Sequence, residues 1–240
     1  MHTIYYFMNF LKKYLLNLDR RATILNTNNI RSQLVTDKNA RYLDLGCDDG
    51  KKTLLFADKM GTKNIYGIEL IQKHANIAKK NGIKVYIGNL DKKWPVKNNH
   101  FDVITANQVI EHVADIDCFV SELKRVLKKG GYAVISTENG SSWHNIFASI
   151  MGWQTFSLAC MSTMQWCIGN PLSLHVNEEN PFGWTHKTIF NYQGLKELFE
   201  VYGFTVESYF GSGYHPLPPV LGSYDVRHAH FISIKIKKLF

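Results

Sequence analysis

Tyr42-Leu43-Asp44-Leu45-Gly46-Cys47-Asp48-Asp49-Gly50 passes from an apolar run into an acidic turn bounded by two glycines, and a helical pattern begins at Lys51. A glycine at the end of a buried strand lets a ligand approach the backbone, and a helix starting there offers unbonded N–H groups. Dinucleotide enzymes hold a pyrophosphate at such a turn with GxGxxG. Here only Gly46 and Gly50 remain, while Asp44, Asp48 and Asp49 put three carboxylates into six residues. That charge repels a pyrophosphate and suits a cation, such as a sulfonium bearing an amino acid.

Outward from this stretch, short apolar runs rich in β-branched and aromatic residues recur at 41–45, 64–68, 83–87, 101–106 and 132–136, each bounded by Gly, Asn or Asp. Helical periodicity fills the gaps at 51–60, 71–81 and 116–128, the last with Ile116, Phe119, Val120, Leu123, Val126 and Leu127 on one face. Gly130-Gly131 is expected to close that helix and lead into the fifth strand. Strand and helix alternate five times, which predicts right-handed crossovers and a parallel sheet covered on both faces. Two helices, at 2–20 and 22–35 with a break near Asp19-Arg20-Arg21, are expected before the sheet, and a helix at 191–201 and strands at 204–210 and 230–236 after it.

The composition sets limits. With 240 residues, 45% apolar and 20% charged, the chain can bury a full core, and no window of about 20 apolar residues suggests a membrane span. Ile4, Phe7, Met8, Leu11, Leu15 and Leu18 make the start read as an amphipathic helix and not a signal peptide. Four cysteines without a CxxC pair fit a reducing, cytoplasmic setting. The net charge of +8 points toward nucleic acid, but 22 of the 28 basic residues are lysines scattered singly or in pairs, as on solvated faces.

Beyond Gly50, Ile65-Tyr66-Gly67-Ile68-Glu69 ends a second strand on a carboxylate, an acceptor-only group able to take two hydroxyls of a ribose. At this point the chain resembles the class I S-adenosylmethionine-dependent methyltransferases. DLGCxxG, GIEL, Ile87-Gly88-Asn89-Leu90, HFDVITANQVIEHV and RVLKKGGYAVISTEN stand in that family's order and spacing across about residues 40 to 138, with a weaker match over 186–211.

The resemblance implies a doubly wound, seven-stranded, mostly parallel α/β sheet of Rossmann-like type and S-adenosyl-L-methionine as cofactor. It implies Asp44 and Gly46 at the methionine end, with Asp48, where the family often has a small residue, and Gly50 completing the loop. Glu69, followed by Leu70, resembles the ribose-binding acid, Asn89 and Leu90 the adenine contacts, and Asn107 the position whose backbone faces the methionyl ammonium. The segment Asn107 to Val113 is similar to the LEVIEHV segment of ubiquinone-biosynthesis O-methyltransferases and their small-molecule relatives. In those enzymes its two Glu and its His are associated with a divalent cation. Here the first Glu is Gln108, a poorer ligand, and no metal is expected.

An oxygen acceptor needs its proton removed as the bond forms, which makes histidines the candidate bases. Among His112, His144, His175, His186, His215, His228 and His230, the first choices are His112 and His186. The expected organisation is one domain: N-terminal helices 1–38, cofactor core 39–138, an apolar lid and acceptor insertion 139–188, and a completing helix and strands 189–240. The stretch 139–177 holds no charged side chain but gathers Trp143, Phe147, Trp153, Phe156, Met161, Met164 and Trp166. A small or lipid-like acceptor is the expected partner, with peripheral membrane contact an option. A tRNA or other macromolecular methyltransferase, supported by charge alone, and a non-catalytic cofactor-binding protein are the alternatives.

Overall fold

The computed structural model describes residues 2–173, 178–180 and 184–240, with side chains from residue 13 onwards. Seven strands, β1 (Tyr42–Leu45), β2 (Ile65–Glu69), β3 (Lys84–Ile87), β4 (Phe101–Asn107), β5 (Leu127–Glu138), β6 (Phe204–Ser212) and β7 (Phe231–Lys238), form one sheet in the order β3-β2-β1-β4-β5-β7-β6. The ladders joining β1 through β5 are all parallel. Helices α1 (His2–Gln33), α2 (Lys51–Met60), α3 (Gln72–Lys80), α4 (Ile116–Val126), α5 (Trp143–Ile150) and α6 (Tyr192–Val201) complete the doubly wound, mostly parallel α/β architecture that the alternation predicts. No helix among the described residues is long and apolar enough to cross a membrane.

Contacts divide the chain into two compact units. The first comprises Ile30–Thr137, Gln193–Tyr209 and Ser233–Phe240, the second Met1–Asn29, Glu138–Tyr192 and Phe210–Ile232. In the first, β1 lies between β2 and β4 with all four residues buried, the position that a continuous apolar run is built for. Tyr42 packs there with Ile30, Leu34, Phe56, Met60, Val103 and Val134. At α2 the chain stops where Gly61 adopts the left-handed conformation, φ 75°, and returns its N–H to Ala57 and Asp58. At α4 the Asp115 carboxylate accepts from the N–H of Cys118 at 2.8 Å, and Lys124 and Arg125 occupy the carbonyl end, as the helix dipole favours.

Three expectations need correction. The N-terminal region is one helix, because Asp19-Arg20-Arg21 contains no helix breaker: both arginines face solvent while Leu18, Ala22, Asn26 and Ile30 recur every fourth residue as buried positions. Of its expected apolar face, Ile4, Phe7, Met8 and Leu11 have side chains outside the described residues. Gly130-Gly131 does not close α4, which ends at Val126. The glycines lie inside β5, where the register against β4 shifts between Phe101 and Val103. A Cβ on Gly131 would stand 2.9 Å from the Asp102 carbonyl, so this close strand approach needs glycine.

The charge-free stretch is the third. Its aromatic content suggests an apolar wall with few fixed polar groups, but buried asparagines tie the second unit together. Asn145 donates to the Asn139 carbonyl at 2.9 Å and to Ser157 Oγ at 2.7 Å and accepts from the Ser157 N–H, while Asn139 donates to the carbonyls of Arg227 and Ala229. Asn170 bonds the Gln154 carbonyl and Asn180 the carbonyls of Ser162 and Trp184. A segment without regular strands has many unpaired backbone groups, and short amides supply the partners. The large apolar side chains turn outward instead: Trp143, Phe147, Ile150, Met151, Met161 and Met164 are all exposed. Residues 174–177, with His175, and 181–183 of this insertion lie outside the described residues.

Candidate cofactor site

The strand order reverses between β1 and β4, and the crevice at the carboxyl ends of such strands is where open α/β sheets bind ligands. The loop after β1 lies there. Gly46 has φ 67°, and a Cβ on it would meet Val109 Cγ2 at 2.8 Å. Gly50 has φ 86° and caps α2 without any side-chain bond. Both glycines therefore answer a backbone need and not merely a preference for small residues. The N–H groups of Gly46 and Cys47 bond the Ile68 carbonyl, which fixes the loop against the end of β2.

Asp44 is the one charge in the central strand. Its carboxylate accepts from Thr53 Oγ1 at 2.6 Å and from Thr105 Oγ1 at 2.5 Å, and Thr105 Oγ1 is itself 2.7 Å from the Tyr42 hydroxyl. Burial pushes Asp44 up to about 6, the two threonine bonds and Lys52 pull the other way, and Glu69 adds to the rise. Glu69, also buried, spans two backbone segments: Oε2 accepts from the N–H of Asp48 and Oε1 from that of Ile71. A carboxylate has about four acceptor positions, so these two bonds orient it and leave further capacity. The Cys47 thiol reports the local field, being pushed far up first by burial and then by Asp44 and Glu69.

The remaining positions are placed as follows. Asp48, at φ 48°, turns its carboxylate outward to His74 Nδ1 at 2.6 Å. Leu70 is exposed beside Glu69. Asn89 Oδ1 accepts from the N–H of Asp91, and the Leu90 carbonyl accepts from Trp94 Nε1. Asn107 ends β4, paired with Ser136. Gln108 follows at φ 57° and donates to Ser136 Oγ, and Glu111 is buried with Oε2 accepting from Thr137 Oγ1 at 2.9 Å. His112 belongs to this unit and His186 to the other, where His186 Nδ1 donates to the Ser157 carbonyl. Thr53 and Thr105, which hold Asp44, were not legible as site residues: they stand 9 and 61 positions away, Thr53 in no motif and Thr105 within HFDVITANQVIEHV but with no role read for it.

A fixed acidic loop, a second carboxylate at the next strand end and this strand order together fit a cationic amino-acid-bearing nucleoside, the ligand of the S-adenosylmethionine-dependent methyltransferases. Residues 15–209 match the family model described as a methyltransferase domain, and the chain belongs to that family. The cofactor of the family is S-adenosylmethionine. Among curated proteins, the chain is 31% identical over 136 residues to a ubiquinone biosynthesis O-methyltransferase of Pelagibacter ubique, covering 54% of this chain and 55% of that one. It is 29% identical over 119 residues to the protein of the same name from Bartonella bacilliformis, covering 47% and 46%. The chain thus spans about half the length of the curated relatives it matches. Its fold is that of an S-adenosylmethionine-dependent methyltransferase of Mesorhizobium loti, TM-score 0.58, 18% identity, covering 91% of this chain and 99% of that one. A geranyl diphosphate C-methyltransferase of Streptomyces coelicolor is similar too, TM-score 0.59, 13% identity, covering 95% and 84%.

Proposed function

We propose that the protein transfers a methyl group from S-adenosylmethionine to a hydroxyl of a small, partly apolar acceptor. The observation that carries the reading is the pair of buried carboxylates at the ends of β1 and β2, where Asp44 is held by two threonine hydroxyls and Glu69 is aimed by two backbone N–H groups. The cofactor, when bound, supplies an activated methyl group on a sulfonium. Asp44, Gly46, Asp48 and Gly50 would take its amino-acid end, Glu69 and Leu70 the ribose, Asn89 and Leu90 the adenine, and Asn107 the ammonium through its backbone. Asp44 and Glu69, both buried, attract the cation. Because a direct displacement needs alignment above all, such positioning supplies most of the catalysis.

A hydroxyl acceptor is supported by the named activity of the relatives, and an apolar one by the aromatic segment that leaves β5 at residue 139, which we assign as lid and acceptor surface. The candidate bases are His112 and His186. The bond from His186 Nδ1 to a carbonyl puts its proton on that nitrogen and makes Nε2 the basic one. Nothing beyond the net charge favours a nucleic-acid acceptor. The test is transfer of label from tritiated S-adenosylmethionine into an extract separated into lipid, small-molecule and RNA pools. Label in the lipid or small-molecule pool, in a base-stable ether linkage, is the expected result; base-labile label, or label confined to RNA, overturns the reading.

A further inference from the structure

We propose that Asp19, His215 and His230 form a binding site for a divalent transition metal, with zinc the ion their donor set suits best. All three belong to the second unit, and one ligand atom from each lies within 4.8 Å of the others. His215 Nε2 and His230 Nδ1 are 3.1 Å apart, and Asp19 Oδ1 is 3.9 Å from His230 Nδ1. Two ligands on a tetrahedral zinc with bonds of about 2.0–2.1 Å stand roughly 3.3–3.4 Å from each other. The imidazole pair already has nearly that spacing, and the carboxylate needs to close on His230 Nδ1 by about half an ångström and lies within 4.8 Å of His215. Two imidazoles and one carboxylate form a borderline donor set that prefers zinc to magnesium or calcium, and three protein ligands leave a fourth position for water or a partner ligand.

The surroundings hold the two histidines and bring α1 against them. His230 is buried, its N–H donates to the Gly213 carbonyl, its own carbonyl accepts from Asn139, and its ring stacks on Phe231 at 3.9 Å. Gly213, at φ 81°, permits the close approach: a Cβ there would lie 2.7 Å from His230 Cβ and 2.9 Å from Ala22 Cβ. Ala22 is three residues after Asp19, so the same side of α1 that meets Gly213 presents the carboxylate. Asp19 is 40% exposed in its side chain. Without an ion the two rings share one hydrogen bond. Binding moves the proton of the donating ring to its other nitrogen and turns both facing nitrogens toward the metal.

Such an ion would pin α1 to the chain ahead of β7, joining residues nearly two hundred positions apart in sequence. The experiment uses the full chain, freed of metal by chelator and dialysis, titrated with Co²⁺ and with Zn²⁺. One equivalent of Co²⁺ is expected to give the intense visible bands of tetrahedral coordination, displaced by Zn²⁺, with a rise in thermal midpoint. Asp19→Asn and His215→Ala, both at partly exposed positions, should each weaken binding about tenfold or more while cofactor affinity stays unchanged. His112→Ala should leave Co²⁺ binding intact. Absence of a stoichiometric tetrahedral spectrum, equal affinity in Asp19→Asn and His215→Ala, or loss of the spectrum in His112→Ala would each overturn the site.

Discussion

Asp44 is the residue at which stability and binding pull against each other. A carboxyl moved from an ordinary value of 3.8 to about 6 costs roughly 3 kcal/mol when ionised, at about 1.4 kcal/mol per unit. Because the folded value is the higher one, the associated stability is complete below about pH 4 and is lost as pH rises through about 6. Unliganded protein is therefore expected to melt at lower temperature at pH 7.5 than at pH 4.5 by this contribution, and Asp44→Asn should remove that difference while weakening cofactor binding. Calorimetric melts at the two pH values check it, and an undiminished difference in Asp44→Asn would place the titrating group elsewhere. Glu69 makes the complementary case. Glu69→Ala should lose more than about 1 kcal/mol of affinity for the demethylated cofactor, since two ribose hydroxyls would lose charge-assisted acceptors. Glu69→Gln keeps one acceptor oxygen and should lose less, and unchanged titration isotherms in both would remove Glu69 from the ribose site.

At the scale of elements, the segment after β5 is where the acceptor reading stands or falls. Trp153 meets Phe147 edge-on with ring centres 5.9 Å apart, and Phe156 meets His144 at 5.2 Å. Because buried asparagines carry the backbone of this segment, Trp153→Ala and Phe156→Ala should leave it folded. An acceptor surface then predicts at least about a tenfold loss of methyl transfer with cofactor affinity nearly intact. Normal turnover in both folded variants would remove the segment from the acceptor site and with it the preference for an apolar substrate.

For the whole molecule, the substitution of Gln108 for a carboxylate predicts that added magnesium changes turnover by less than about twofold in zinc-replete buffer. A rate that needs magnesium would show that Glu111 and His112 suffice as ligands with another partner. The alternation of strand and helix, the acidic turn at Asp44 to Gly50 and the carboxylate at Glu69 were decided by the sequence alone, because each depends on residues close together in the chain. Periodicity, glycine conformation and strand-end chemistry are local properties. What joined Thr53 and Thr105 to Asp44, made α1 one helix, moved Gly130-Gly131 into β5 and put Asp19 beside His215 and His230 was tertiary structure. Hydrogen bonds and metal ligands are matched across space, and burial, which shifts Asp44, is set by residues that no local pattern names.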